Sequence, residues 1–129
     1  MSVKAALVVD DSPTLRKMVI FALKKMYNIK EKYEASDGLE ALDILSSHDI
    51  DFIICDINMP NMNGLELLYR LKNSEDFKNI PIVMLTTEGR EEDIKRAKDI
   101  GADGYVVKPF KPENLKKELD IALKKYGKI

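Results

Sequence analysis

The sequence of 129 residues has no tryptophan, one cysteine and one histidine. A single cysteine cannot form a disulfide within the chain, and no CxxC pair or Cys/His cluster offers a zinc site. No apolar window approaches the length of a membrane span, and the apolar run near the N-terminus is too short for a signal peptide. We therefore expect a cytoplasmic protein with no membrane association.

The sequence also lacks an excess of either positive or negative charge. The chain carries 21 basic and 22 acidic residues, so its net charge is −1. This balance leaves no basic surface of the kind that nucleic-acid-binding domains show, and we expect no nucleic-acid partner. The length fits one domain, residues 1–129, and we find no internal repeat, linker or low-complexity segment.

Short apolar segments alternate with segments that carry apolar residues at helical spacing. The predicted strands are Ala5–Val9, Lys30–Ala35, Phe52–Asp56, Ile82–Leu85 and Tyr105–Val107. The predicted helices are 14–26 and 91–100, together with helices that begin at Ser36-Asp37-Gly38, Asn63-Gly64 and Pro112. Met18 and Leu39 are among the apolar residues at helical spacing. Repeated strand–helix units with short connections predict an α/β fold with a five-stranded parallel sheet and helices on both faces.

Four of the predicted strands end on polar residues, namely Asp10-Asp11, Asp56, Thr86 and Lys108. Considered alone, Asp56 has two interpretations of equal weight: a ligand-binding group in the crevice at the carboxyl ends of the strands, or a cap of its own loop. The polar residues at the other strand ends favour the first interpretation. The carboxyl ends of parallel strands lie at one edge of the sheet, so all these side chains should converge there.

Three converging carboxylates repel one another unless a cation lies among them. Carboxylate oxygens with room for water suit Mg²⁺. A carboxylate nucleophile beside a metal, with an ammonium and a hydroxyl to bind spread negative charge, is suited to phosphoryl transfer. The alternative is a set of unrelated, solvated polar strand ends, which would require the same coincidence at four strands.

These motifs resemble the receiver domains of two-component response regulators. They are Asp10-Asp11-Ser12, the Asp56 strand with its Asn-Met-Pro loop and Gly64, Thr86, and Lys108-Pro109-Phe110. Each motif is weak alone, but their order and spacing over nearly the whole chain are specific. The chain is most similar to the stand-alone chemotaxis regulators of the CheY type. The resemblance implies the (βα)5 flavodoxin-like fold with strand order 2-1-3-4-5.

The resemblance also implies roles for individual residues. Asp56 would be the phosphoacceptor, and Asp11, Asp56 and the backbone carbonyl of Asn58 would bind Mg²⁺. Asp10 would hold a metal-bound water, while Lys108 and Thr86 would contact the phosphoryl group. The Lys108–Pro109 bond would be cis.

Further roles concern signalling and the lifetime of the signal. Thr86 and Tyr105 would form the switch, although the spacing of Tyr105 alone favours ordinary strand packing. Asn58 and Glu88 would orient the hydrolytic water. Thr87 stands where the family usually has Ala, Gly or Ser, and we expect it to slow hydrolysis unless its side chain packs in the core.

The implied partners are a CheA-like histidine kinase as phosphodonor and a downstream target such as a flagellar switch protein. The chain would be a monomeric signalling protein rather than an enzyme, with self-phosphorylation from small donors and slow self-dephosphorylation. The acidic start of the fourth helix, Arg90-Glu91-Glu92-Asp93, departs from the lysines of the best-known CheY relatives and bears on the identity of the target.

The sequence leaves two other functions to consider. A Mg²⁺-dependent phosphatase with an aspartyl-phosphate intermediate would need a second Asp as general acid, where this chain has Asn58. A receiver of a non-chemotaxis phosphorelay or a fragment of a longer transcription regulator is the remaining alternative. Met1 and the end at Lys128-Ile129 favour a complete stand-alone protein.

Overall fold

A computed structural model of the chain describes residues 3–87 and 90–129. Strands and helices alternate along the chain. The strands are β1 (Ala5–Val9), β2 (Glu31–Ala35), β3 (Phe52–Asp56), β4 (Ile82–Thr87) and β5 (Gly104–Lys108). The helices are α1 (Pro13–Met26), α2 (Gly38–Ser47), α3 (Gly64–Lys72), α4 (Glu91–Ile100) and α5 (Pro112–Lys125).

All four strand pairings are parallel, and the sheet has the order β2-β1-β3-β4-β5. Every residue of β1 and β3 is buried, because these strands lie inside the sheet and helices cover both faces. One apolar core contains Leu7 and Ile53 and the other contains Val8 and Ile54, so alternate residues of each strand point to opposite faces. The predicted fold and strand order are confirmed.

Polar side chains define where three of the helices begin. Ser12 caps α1 by accepting a hydrogen bond from the Leu15 backbone N–H at 3.2 Å. Asp37 and Asn63 cap α2 and α3 in the same way. These caps satisfy backbone donors that have no partner within the helix. They also fix the helix starts next to the carboxyl ends of the strands.

Two predictions from helical spacing were wrong. Met18 is 54% exposed and Leu39 is 52% exposed. The buried stripe of α1 contains Val19, Ala22 and Leu23, as the spacing predicts, together with Ile20. Met18 lies outside this stripe, because the helix presents a narrower face to the sheet than the apolar pattern suggests. The strand β4 also continues past Leu85 to Thr87.

Among the described residues, we find no helix with the length and apolar character needed to cross a bilayer.

Candidate functional site: an acidic crevice

The predicted site residues lie together at the carboxyl edge of the sheet. Asp10 directly follows β1, Asp56 and Lys108 are the last residues of β3 and β5, and Thr86 lies near the end of β4. Asp10, Asp56 and Thr86 are buried, whereas Asp11 is exposed. The site therefore has a buried floor, with one carboxylate at its solvent side.

Each of the three aspartates, Asp10, Asp11 and Asp56, offers a carboxylate oxygen within 4.8 Å of those of the other two. The ammonium nitrogen of Lys108 lies 3.0 Å from Asp10 Oδ2 and 3.1 Å from Asp56 Oδ1. The sequence prediction that three carboxylates and one ammonium converge is confirmed. Lys108 supplies one positive charge among three carboxylates and so offsets only part of their negative charge.

Asp10 is held at both its backbone N–H and its side chain. The N–H donates to the carbonyl of Ala35 in β2 at 3.0 Å. The carboxylate accepts a hydrogen bond from the Ser12 N–H at 2.8 Å and binds Lys108 through its other oxygen. A fully buried carboxylate is tolerated here because both of its oxygens have partners.

The electrostatics of Asp56 reflect competing influences. Burial raises the pKa of Asp56, and the nearby charge of Asp10 adds to this, while Lys108 opposes both. Burial alone would lower the pKa of Lys108, but its bonds to Asp10 and Asp56 outweigh burial and raise that pKa. Lys108 therefore stays charged at neutral pH and favours the carboxylate form of Asp56.

The donor set fits a hard divalent cation. The cluster offers carboxylate oxygens and no nitrogen or sulfur ligand, a composition that suits Mg²⁺ better than zinc. Asp11 lies at the solvent side, so the pocket can leave coordination positions to water. Receiver domains bind Mg²⁺ at an acidic pocket of this kind.

The loop between β3 and α3 forms one wall of the crevice. Asn61 in this loop adopts a positive φ of 62°, and its amide donates to the Asp37 carboxylate at 2.6 Å. The Gly38 N–H donates to the Met62 carbonyl at 3.0 Å. Both bonds anchor the loop to the start of α2. Asn58, whose backbone carbonyl is the predicted metal ligand, belongs to this anchored loop.

Strand β4 ends on two residues with hydroxyl side chains, Thr86 and Thr87. Thr86 is fully buried, and its hydroxyl donates to the Thr87 carbonyl at 3.4 Å. Thr87 is exposed, so the alternative that its side chain packs in the core is wrong. Its backbone pairs in register with Lys108, which places it beside the crevice. Glu88 lies outside the described residues.

Tyr105 of β5 is half-buried and packs against the apolar core that contains Leu7 and Ile53. The ammonium of Lys98 in α4 lies 4.7 Å from its ring centroid. The Tyr105 backbone N–H donates to the Glu118 carboxylate in α5 at 3.2 Å. Tyr105 therefore contacts both flanking helices.

The Lys108–Pro109 bond is cis, as predicted.

Two residues contribute to the site in ways that the sequence did not indicate. Gly64 is the first residue of α3, as the predicted start of that helix implies, but it also packs against the Asp56 backbone. Arg16 lies on the polar side of α1, and its guanidinium donates to the Asp10 carbonyl. Its position one helical turn after Asp10-Asp11-Ser12 was the available signal.

Comparisons with known proteins agree with this geometry. The profile of the response regulator receiver domain matches residues 6–120. The chain is 41% identical over 114 residues to the chemotaxis protein CheY-3 of Vibrio cholerae, covering 88% of this chain and 87% of that protein. It is 41% identical over 118 residues to CheY1 of Helicobacter pylori, covering 91% and 94% of the two chains.

Among solved structures, the chemotaxis response regulator CheY4 of Vibrio cholerae superposes with a TM-score of 0.83 at 40% identity, covering 95% of this chain and 100% of that one. CheY-like receivers are signalling proteins rather than classical enzymes. A receiver domain implies a histidine kinase as phosphodonor and a downstream target. On the profile match, the sequence identity and the shared fold, this chain belongs to the response regulator receiver domain family.

Proposed function

We propose that this chain, as one receiver domain spanning residues 1–129, accepts a phosphoryl group on Asp56 and thereby changes its binding to a target protein. The observation that carries the proposal is the contact of Lys108 with both Asp10 and Asp56 at 3.0 and 3.1 Å. This contact favours the ionised form of the buried Asp56 carboxylate, opposing the effect of burial on its pKa, and places a cation where negative charge would develop. The phosphoryl group would come from a histidine kinase or from small donors such as acetyl phosphate.

In the proposed transfer, an Asp56 carboxylate oxygen attacks the phosphorus of a phosphohistidine. The new O–P bond forms as the P–N bond breaks, and the imidazole leaves with the electron pair. Lys108 and Thr86 would bind the phosphoryl oxygens once the group is on Asp56. The three negatively charged oxygens of the group would attract Lys108 away from Asp10.

Asp11, Asp56 and the backbone carbonyl of Asn58 would hold Mg²⁺, and Asp10 would bind it through water. When bound, the ion would neutralise negative charge on the phosphoryl oxygens. The requirement for a cation follows from the carboxylate oxygens of Asp10, Asp11 and Asp56, which lie within 4.8 Å of one another with one ammonium contacting two of the groups.

The proposed output surface is formed by α4, β5 and α5. A pocket of about 280 Å³ on this surface is lined by Tyr105, Val106, Val107, Asn114, Lys117 and Glu118. Tyr105 connects the pocket to the sheet core and to Lys98. Thr86 pairs with Val107, which lies two residues after Tyr105 on β5, so the distance along the sheet from the crevice to this surface is short.

The pathway we propose is chemotaxis, because the named relatives CheY-3 and CheY1 are chemotaxis proteins. The kinase would then be CheA-like and the target a flagellar switch protein. We propose that the protein acts in the cytoplasm as a monomer. Slow self-dephosphorylation, influenced by Asn58, Thr87 and Glu88, would end the signal.

The test is labelling by radioactive acetyl phosphate in the presence of Mg²⁺. The wild-type protein should acquire one phosphoryl group, whereas Asp56→Asn should acquire none, because the amide is not a nucleophile. Asp51→Asn, which changes an Asp at the other end of β3, should label like the wild type. Stable stoichiometric labelling of Asp56→Asn would contradict the assignment of the acceptor.

A further inference from the structure

Arg16, in the first turn of α1, connects the turn that carries Asp10 and Asp11 to strand β2. Its Nη1 donates to the Asp10 carbonyl at 2.6 Å, and its Nε donates to Glu34 Oε1 at 2.9 Å. The Arg16 and Glu34 side chains are only 15% and 22% exposed. A planar guanidinium can hold two acceptors in a fixed relative position, which a single ammonium cannot do.

The position of Asp10 therefore depends on the end of β2 at two points. Its backbone N–H donates directly to the Ala35 carbonyl at 3.0 Å. Its carbonyl is tied through Arg16 to Glu34, the residue before Ala35. With both backbone groups held, the Asp10 carboxylate has little freedom to turn away from Lys108. Asp11 follows immediately in the same turn.

The start of α1 completes this arrangement. The Arg16 N–H donates to the Ser12 carbonyl at 3.0 Å, and the Ser12 N–H donates to the Asp10 carboxylate at 2.8 Å. Arg16 is thus bonded to both ends of the turn. A shift of its side chain would displace the segment that supplies two of the three clustered carboxylates.

We propose that Arg16 is a positioning residue for the metal pocket, with Glu34 as its anchor on β2. It holds the β1–α1 turn so that the Asp10 and Asp11 carboxylates face Asp56. Glu34 offsets the positive charge of the guanidinium, so the pair fixes the turn without adding net positive charge beside a cation site. This inference rests on the proposed function, because it assumes that the three carboxylates bind Mg²⁺.

The competing explanation is that Arg16 and Glu34 only fasten α1 to β2. Lys17 provides a matched control, because its ammonium also pairs with Glu34 while its side chain is 69% exposed. Among the contacts of the described residues, Lys17 pairs with Glu34 and not with Asp10. Loss of Lys17 therefore removes an α1–β2 ion pair but leaves the contact with the Asp10 carbonyl.

The experiment is calorimetric titration of the apo protein with MgCl₂, alongside thermal melting without Mg²⁺. Arg16→Gln should weaken Mg²⁺ binding by about three- to tenfold, less than removal of the direct ligand Asp11, because it displaces the turn that carries Asp10 and Asp11 without removing a ligand. Arg16→Lys should restore only part of the affinity, because lysine cannot bridge both acceptors. Lys17→Gln should bind Mg²⁺ like the wild type, whatever its melting temperature.

The inference is overturned if Arg16→Gln binds Mg²⁺ as tightly as the wild type, or if Lys17→Gln loses as much affinity as Arg16→Gln. Should Arg16→Gln fail to fold, Glu34→Gln tests the same link, since glutamine keeps the shape and weakens the anchor. Unchanged Mg²⁺ affinity in Glu34→Gln would then overturn it. Absence of Mg²⁺ binding by the wild type would instead contradict the proposed function.

Discussion

Gly64 lies directly against the backbone of Asp56. A Cβ atom at Gly64 would stand 2.0 Å from the Asp56 carbonyl oxygen, far inside van der Waals contact. The Gly64 N–H also donates to the Ile57 carbonyl at 2.8 Å. The start of α3 therefore packs directly against the end of β3. This close contact fixes the position of the loop between them, which forms one wall of the crevice.

The substitution Gly64→Ala should distort this contact, because backbone atoms cannot move aside as a side chain can. We expect a loss of about 1–3 kcal/mol in the free energy of unfolding, as for other overpacked sites. We also expect slower phosphorylation by acetyl phosphate. Urea unfolding and a labelling time course measure the two effects.

Gly127→Ala is the control, because nothing lies within 4 Å of a Cβ atom there and the only strain comes from a φ of 70°. It should cost roughly 1–2 kcal/mol through backbone strain and leave the phosphorylation rate unchanged. If Gly64→Ala matches the wild type in both stability and phosphorylation, the contact with Asp56 has no functional consequence.

Removal of Asp11 should weaken Mg²⁺ binding by at least about tenfold, because Asp11 is a proposed direct ligand. The apo protein should become no less stable, since one of three mutually repelling carboxylates is gone. Calorimetric titration and thermal melting of Asp11→Ala test both points. A Mg²⁺ titration identical to that of the wild type would contradict the proposed ligand set.

Beryllofluoride, which stands in for the phosphoryl group on Asp56, should perturb the NMR signals of Tyr105 and Lys98. The reason is that Thr86 and Tyr105 would couple the crevice to α4 and β5, and the ligand shifts the population of a pre-existing state. Tyr33 on the edge strand β2 serves as an internal reference. Changes confined to the crevice would show that the group does not operate a switch at this surface.

Thr87→Ala should speed decay of the phosphorylated form by about tenfold, if relief of the branched side chain removes about 1.4 kcal/mol from the barrier. Thr87 is exposed, so the melting temperature should change little. Thr87→Val keeps the bulk and should retain slow decay. Equal decay rates in the wild type, Thr87→Ala and Thr87→Val would rule out steric gating by this residue.

Asp103 should contribute pH-dependent stability. Its carboxylate accepts bonds from Lys72, Lys125, the Tyr126 hydroxyl and the Ile82 N–H. Burial alone would raise the pKa of Asp103, but the Ile82 and Lys72 bonds in particular outweigh it and lower that pKa below its ordinary value of 3.8. The stabilisation is therefore complete above about pH 5 and is lost as the pH falls through the lowered pKa of the folded state.

The substitution Asp103→Asn should cost about 3 kcal/mol at neutral pH, because it leaves Lys72 without its buried partner. The difference from the wild type should shrink in acid. Glu75→Gln, which removes an exposed pair with Lys78, should cost under about 1 kcal/mol at any pH. Urea unfolding at several pH values measures these differences in the free energy of unfolding. If the difference between Asp103→Asn and the wild type did not depend on pH, the lowered pKa of Asp103 would not contribute to stability.

The sequence by itself determined the order of strands and helices, because periodicity, caps and polar strand ends are local properties of the chain. It also predicted that Asp10, Asp11, Asp56 and Lys108 would meet, since the carboxyl ends of parallel strands share one edge. The neighbouring order of the strands came from the family resemblance.

Tertiary structure decided what depends on contacts between segments distant in the chain. The exposure of Met18 and Leu39 follows from how much of each helix the sheet covers, which periodicity alone does not state. The contact of Gly64 with Asp56 requires the folded loop between them. The link from Glu34 through Arg16 to Asp10 exists only because β2 lies beside β1, and no spacing along the chain encodes that distance.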